Sequence, residues 1–206
     1  MKMLTLSHRL SLVCQAVAVL AGALVLWPGD LRAQTAPEPQ VLYNPSEDTD
    51  GSFLKKWGCE VTDVDHNGTK VIQMTYATNV EYPTVSFPPP EGPWILSDYA
   101  GVEVEVTNTG DHPVQVALRV DNKKTPDIKG EPYNTETVRL APGDTKTIRV
   151  YFGKSFGFKP GYPLDPSMVS AIQVFASKPK EPGVILINKV QTFGAPGDTP
   201  AGRSES

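Results

Sequence analysis

Two runs of strict alternation near the middle of the chain constrain its fold more than any other feature. Val102, Val104 and Val106 alternate with Glu103, Glu105 and Thr107; after a break, Val114, Val116, Leu118 and Val120 alternate with Gln115, Ala117, Arg119 and Asp121. A side-chain period of two puts one set on each face of an extended backbone, so each run is a strand with one buried face. The connector between them is rich in Asn, Gly, Asp and Pro, residue types that supply turn conformations and stop strands. The spacing predicts two adjacent strands sharing an apolar floor, with Glu103, Glu105, Gln115 and Arg119 together on the opposite, polar side.

The same grammar recurs along the chain. Residues 60–65 and 70–77 flank His66-Asn67-Gly68-Thr69, and Asn-Gly between alternating segments marks a hairpin because both residues tolerate positive φ. Ile72, Met74 and Tyr76 share one face of its second strand. Residues 134–140 and 145–152 are predicted as a further hairpin across Ala141-Pro142-Gly143-Asp144, with Ile148, Val150 and Phe152 on one side and Thr147, Arg149 and Tyr151 on the other. Short strands are also predicted at 41–44, 84–87 (ended by Pro88-Pro89-Pro90), 168–177 and 184–193, and Asp165-Pro166 is placed to cap a single helical turn. No segment past the N-terminus sustains a 3.6-residue period. Nine or ten short strands with Gly/Pro-rich turns predict an all-β fold, an antiparallel β-sandwich of jelly-roll type. Trp57 and Trp94 are assigned to its core or rim.

The N-terminus reads differently. Lys2, His8 and Arg9 precede an almost wholly apolar run, 10–27, which Pro28-Gly29 ends. This is the pattern of a secretory signal peptide at 1–33, with an uncleaved anchor as the alternative. It predicts a secreted or periplasmic protein with no membrane contact after cleavage. A Pro/Ala/Thr linker at 34–40, a module at 41–194 and a disordered Pro/Gly/Ser tail at 195–206 complete the organisation. Cys14 lies in the signal, which leaves Cys59 alone and predicts no intrachain disulfide. Net charge is −4 with no basic cluster, so a nucleic-acid partner is excluded.

Catalytic patterns are missing from the sequence. His66 and His112 sit in no metal-ligand spacing, and there is no nucleophile elbow or phosphate loop. Glu103 and Glu105 lie two apart on one strand face, but a solvated or ion-paired surface explains them without an enclosed, pKa-shifted pair, so the chain is expected not to be an enzyme. Asp63, Asp65, Asn67 and Gly68 match the first half of a calcium loop, yet Met74 stands where a bidentate Glu is required.

Sugars are held by aromatic rings against their apolar faces and by forked polar side chains. Two loops carry that combination. Residues 121–134 bring Asp121, Asn122, Tyr133 and Asn134, with Arg119 on the adjoining strand; residues 151–163 bring Tyr151, Phe156, Phe158 and Tyr162. These nine form the predicted carbohydrate-binding set. The alternative is that the loop aromatics fold back as a cap on the core.

The ordered set WILSDYAGVEVEVTNTGDHPVQVALRVDN, APGDTKTIRV, DPSMVSAIQVFASKP and ILINKV resembles the jelly-roll carbohydrate-binding-like domain, of galactose-binding-like fold, that precedes the catalytic barrel of β-agarases and related glycoside hydrolases. The resemblance spans residues 41–194. It implies a non-catalytic module for a galactose-based polysaccharide, with a glycoside hydrolase as partner in trans since the sequence ends soon after Phe193. It also implies a structural Ca2+ held by Glu47 and Asp48 near the first strand and by Asn188 of the last, although an Asn neutralises a hard cation less well than the usual Asp. The competing reading is a structural or protein-interaction sandwich without a sugar site.

Overall fold

The computed structural model describes residues 36–47, 51–129, 131–157 and 159–200. The predicted signal peptide, Asp48 and Phe158 lie outside the described residues. Thirteen strands are present among those described: β1 Val41–Tyr43, β2 Lys55–Trp57, β3 Cys59–His66, β4 Thr69–Tyr76, β5 Thr84–Phe87, β6 Gly101–Asn108, β7 Val114–Asn122, β8 Tyr133–Leu140, β9 Thr145–Tyr151, β10 Lys154–Ser155, β11 Lys159–Pro160, β12 Val169–Ala176 and β13 Gly183–Phe193. Helical structure among them is limited to single 3-10 turns at Gly51–Phe53 and Pro166–Met168, the second capped by the Asp165 side chain as its sequence predicts.

Two antiparallel sheets face each other. One runs β3-β4-β13-β6-β9, with β1 added against β13; the other runs β2-β5-β12-β7-β8. The inward parity of each strand fills the space between. Ile72, Met74, Val102, Val104, Val106, Ile148, Ile185 and Ile187 from the first sheet meet Val85, Phe87, Val116, Leu118, Val120, Ile172 and Val174 from the second, all with at most 1% exposure. Trp94 is buried there as expected. Interdigitation of two such faces is what makes a sandwich of period-two strands stable.

The layering corrects two expectations. β6 and β7 are consecutive but belong to opposite sheets, so their valines oppose one another across the core, and Glu103 and Glu105 lie on the far outer surface from Arg119. The same is true of β8 and β9: Ala141–Asp144 is an arch between layers, not a hairpin turn. Turn residues state where a chain reverses; whether the reversed strand bonds its predecessor or crosses to the other sheet depends on which apolar faces remain open. The Asn67–Gly68 turn does join hydrogen-bonded neighbours, β3 and β4, with φ of 55° and 79° at those residues. Within the tail expected to be disordered, Ala195 is buried and the Asp198 carboxylate accepts from its N–H at 2.8 Å; residues 201–206 lie outside the described residues.

Candidate functional site

The outer face of the five-stranded sheet is built in rows. Register places Trp57, Thr84, Phe175, Ala117 and Thr137 side by side across β2, β5, β12, β7 and β8, and Lys55, Ser86, Gln173, Arg119 and Thr135 in the next row. Five strands about 4.8 Å apart make such a row roughly 19 Å long. Short Ala117 lies between Phe175 and Thr137 and leaves the middle of its row low. The result is a depression of about 380 Å³ lined by Tyr82, Arg119, Tyr133, Phe156, Gln173 and Phe175, with Thr84, Thr135, Thr137 and Ser177 between them.

Its polar centre is pre-arranged. The Asp121 carboxylate, at 7% exposure, accepts from Arg119 Nε at 2.8 Å and Nη2 at 2.5 Å through Oδ1, and from Gln173 Nε2 at 3.2 Å through Oδ2. Arg119 is thereby held over Tyr133, its Cζ 3.8 Å from the ring centroid. Burial pushes the Asp121 carboxyl above the usual carboxylate range, and the hydrogen bonds and charge of Arg119 oppose that rise. A guanidinium tied at one edge and stacked on one face loses little rotamer freedom when it meets a ligand.

The walls are aromatic. Tyr82 packs edge-on against Phe175, ring centroids 5.8 Å apart at 82°. Tyr82 is 40% exposed, Phe156 53% and Trp57 69%. Trp57, assigned above to core or rim, thus stands in solvent at the end of the first row, because an outward parity position on edge strand β2 has no layer above it.

The structure brings Arg119, Asp121, Tyr133 and Phe156 of the predicted set together and gives the others different work. Asn122 is buried; its Nδ2 donates to the Asp165 and Met168 carbonyls at 2.8 and 2.9 Å, and its Oδ1 accepts from Asp165 N–H at 2.7 Å. Asn134 is fully buried, donating to the Tyr162 carbonyl at 2.9 Å and accepting from Gly153 N–H at 2.7 Å. Tyr162 packs on the core. Tyr151 lies edge-on to Phe193, centroids 4.8 Å apart, beside a separate depression of about 240 Å³ that it shares with Tyr99, Phe152 and Lys154. Phe158 is outside the described residues. Tyr82, Gln173 and Phe175 were not anticipated; the available signal was Phe175 itself, an aromatic at the outward parity of a strand whose Ile172, Val174 and Ala176 point in.

Of the predicted calcium set, Glu47 is exposed, Asp48 lies outside the described residues, and Asn188 Nδ2 donates to Glu105 at 3.2 Å. No group of three or more His, Cys, Asp or Glu side chains able to hold a metal occurs among the described residues. Glu103 is engaged by Arg149 Nε at 2.7 Å and Gln191 Nε2 at 2.7 Å, the ion-paired strand face expected of it.

No protein-family model and no curated protein sequence matches this chain. Solved structures do. An exo-β-agarase matches with a TM-score of 0.61 at 14% identity over 77% of this chain and 25% of its own, and a second agarase with 0.59 at 12% over 77% and 25%. A family 11 carbohydrate-binding module from Clostridium thermocellum, solved with a β-1,3-1,4-mixed-linked tetrasaccharide, matches with 0.57 at 15% over 78% of this chain and 98% of its own. The chain therefore spans about a quarter of the agarases and nearly the whole of the module. What it shares with them is the fold, the jelly-roll β-sandwich of carbohydrate-binding modules.

Proposed function

We propose that this chain is a non-catalytic module that binds a polysaccharide across the outer face of its five-stranded sheet, with a galactose-based chain as the preferred ligand. One observation carries the reading: the depression combines exposed rings on its walls with an arginine fixed in place by a buried carboxylate. Aromatic faces take the C–H surfaces of a sugar, and the guanidinium's outer N–H groups take its hydroxyls. The depression is open and shallow, so affinity comes from a few contacts along a chain. The state of the carboxylates supports binding over hydrolysis. Asp121 is already ion-paired, and Glu103 and Glu105 are engaged on the other sheet. The agarase-like fold motivates the galactan preference, and a glycoside hydrolase acting on the same polymer is the natural companion. Export rests on the apolar N-terminal segment.

Retention on agarose beads and retardation in gels containing mixed-linkage β-1,3-1,4-glucan test the reading. The wild-type chain is expected to be retained by agarose, and Y82A and R119A each to weaken retention about tenfold, or about 1.4 kcal/mol. Absence of retention on either polymer, or unchanged retention in both variants, would overturn it.

A further inference from the structure

Three described residues other than glycine adopt positive φ: Asn67 at 55°, Phe156 at 50° and Lys178 at 47°. Asn67 followed by Gly68 is the pairing that tight hairpins select, because Asn and Gly tolerate left-handed backbone. Phe156 is followed by Gly157 at 85°, so a second left-handed pair stands in the longer, three-residue loop between Ser155 and Lys159. A bulky ring stands where turn chemistry asks for Asn, and for such a residue positive φ is a genuine outlier. The Asn67 pair borders a depression of about 260 Å³ lined by no Phe, Tyr or Trp, while the Phe156 pair borders the aromatic one.

The hairpin that carries this ring is tied down on several sides. Phe156 N–H donates to the Thr135 carbonyl at 2.8 Å, Gly157 N–H donates to the Glu136 carboxylate, and Ser155 Oγ accepts from Thr135 N–H at 3.1 Å. Gly161 N–H closes the base onto the Gly153 carbonyl at 2.8 Å. These bonds fix the backbone, yet the ring they present is half exposed, so little packing explains its presence. Lys178 adjoins the same depression next to Tyr82 without itself lining it. It follows the lining residue Ser177, its N–H donates to the Glu81 carbonyl at 2.7 Å, and its Nζ lies 5.8 Å from the centroid of Tyr82. Disfavoured backbone persists where the surroundings over-determine it, and it gathers at ligand clamps.

We infer that Phe156 and Lys178 are the specificity-determining residues of the depression, held in left-handed backbone to present a stacking ring and, next to Tyr82, an ammonium donor. The inference rests on the polysaccharide-binding reading above. It narrows the ligand to a sugar chain with one apolar pyranose face toward Phe156 and an oxygen-bearing substituent toward Lys178.

F156N puts the residue type that left-handed backbone favours in place of the ring and leaves the hairpin's backbone donors and acceptors in the chain; K178G removes the second strained side chain. Each is compared with the wild type and R119A by retention on agarose, by retardation in mixed-linkage β-glucan gels, and by thermal unfolding. Both variants are expected to lose about tenfold or more in retention while Tm holds or rises by up to about 4 °C, since relief of left-handed backbone offsets the loss of a half-exposed side chain. If F156N binds like the wild type, or if its Tm falls by more than about 6 °C along with its binding, the ring is not a ligand platform and the inference is overturned. If K178G binds like the wild type, the two-residue form is overturned. Weakened retention in R119A alone would sink the inference and leave the binding reading standing; a wild-type chain retained by neither polymer sinks both.

Discussion

Removing the Arg119 guanidinium tests the electrostatic centre of the sheet face directly. In R119A the Asp121 carboxylate, 10% exposed in the intact pair, loses its charged partner, and its remaining side-chain donor among the described bonds is the neutral Gln173 Nε2 at 3.2 Å. Breaking a buried ion pair by deleting one partner costs about 3–5 kcal/mol, because the other charge is left unsolvated. Arg119 keeps 28% side-chain exposure, against 10% for Asp121, which puts this pair at the lower end, about 3 kcal/mol with the stacking on Tyr133 included. For a domain of this size that is a fall in Tm of about 6–12 °C. The loss must also depend on pH, and in a set direction. The Asp121 carboxyl is already raised above its ordinary 3.8 by burial, and Arg119 is the influence holding it down. Without Arg119 it rises further. A carboxyl whose folded pKa exceeds its unfolded one is penalised when ionised, so its drag on stability is full above the folded pKa and fades as pH falls through it. Chemical denaturation at about pH 7.5 and about pH 5 should therefore show a smaller deficit for R119A at the lower pH, and R119A/D121N should recover about half of the neutral-pH loss. An R119A deficit equal at both pH values, with no recovery in the double variant, would refute the claim that Asp121 is a buried charge kept in place by Arg119.

Three further outcomes follow from the packing. N122A removes two donations and one acceptance inside the fold and should lower the urea midpoint by an amount equivalent to about 3 kcal/mol, with an unchanged midpoint counting against its structural role. G101A places a Cβ 2.0 Å from the Val150 carbonyl oxygen, where β6 meets β9, so circular dichroism should show an unfolded or grossly destabilised chain, and a native melting curve would be incompatible with that contact. Burial raises the Cys59 thiol above its ordinary value, and its Sγ donates to the Thr84 carbonyl at 3.3 Å, so iodoacetamide at neutral pH should alkylate the native chain much more slowly than the urea-unfolded one; equal rates would contradict the burial.

The alternation in β6 and β7 was legible because a half-buried strand has no other economical pattern, and each of those valines is in the core. Pairing was not legible. Val102 and Val116 carry the same signal whether their strands are neighbours or opposed, since parity reports a face and not a partner. That single ambiguity moved Glu103 and Glu105 from one surface to the other. It also scattered the predicted site. Arg119, Asp121 and Tyr133 came together because β7 and β8 do bond, whereas Tyr151 leaves on β9 in the opposite sheet. Asn122 and Asn134 were chosen for chemistry that suits a sugar equally well as it suits unsatisfied backbone carbonyls, and the composition of a loop does not separate those uses. Trp57 and Phe175 were the overlooked clues, large rings at outward parity.

β1 lies against β13, with Gln40 N–H donating to Thr192 Oγ1 at 2.7 Å and Thr192 N–H donating to the Gln40 carbonyl at 2.9 Å. The path into the fold and the path out of it are thus adjacent, both on the six-stranded layer. A bead, a dye or a second domain coupled near either point hangs behind the molecule as the glycan would see it, and the ringed face stays clear. Tension applied between those two points meets rungs that open singly, in the manner of a zip, so a tethered copy would release β1 at low force before the rest of the sandwich yields.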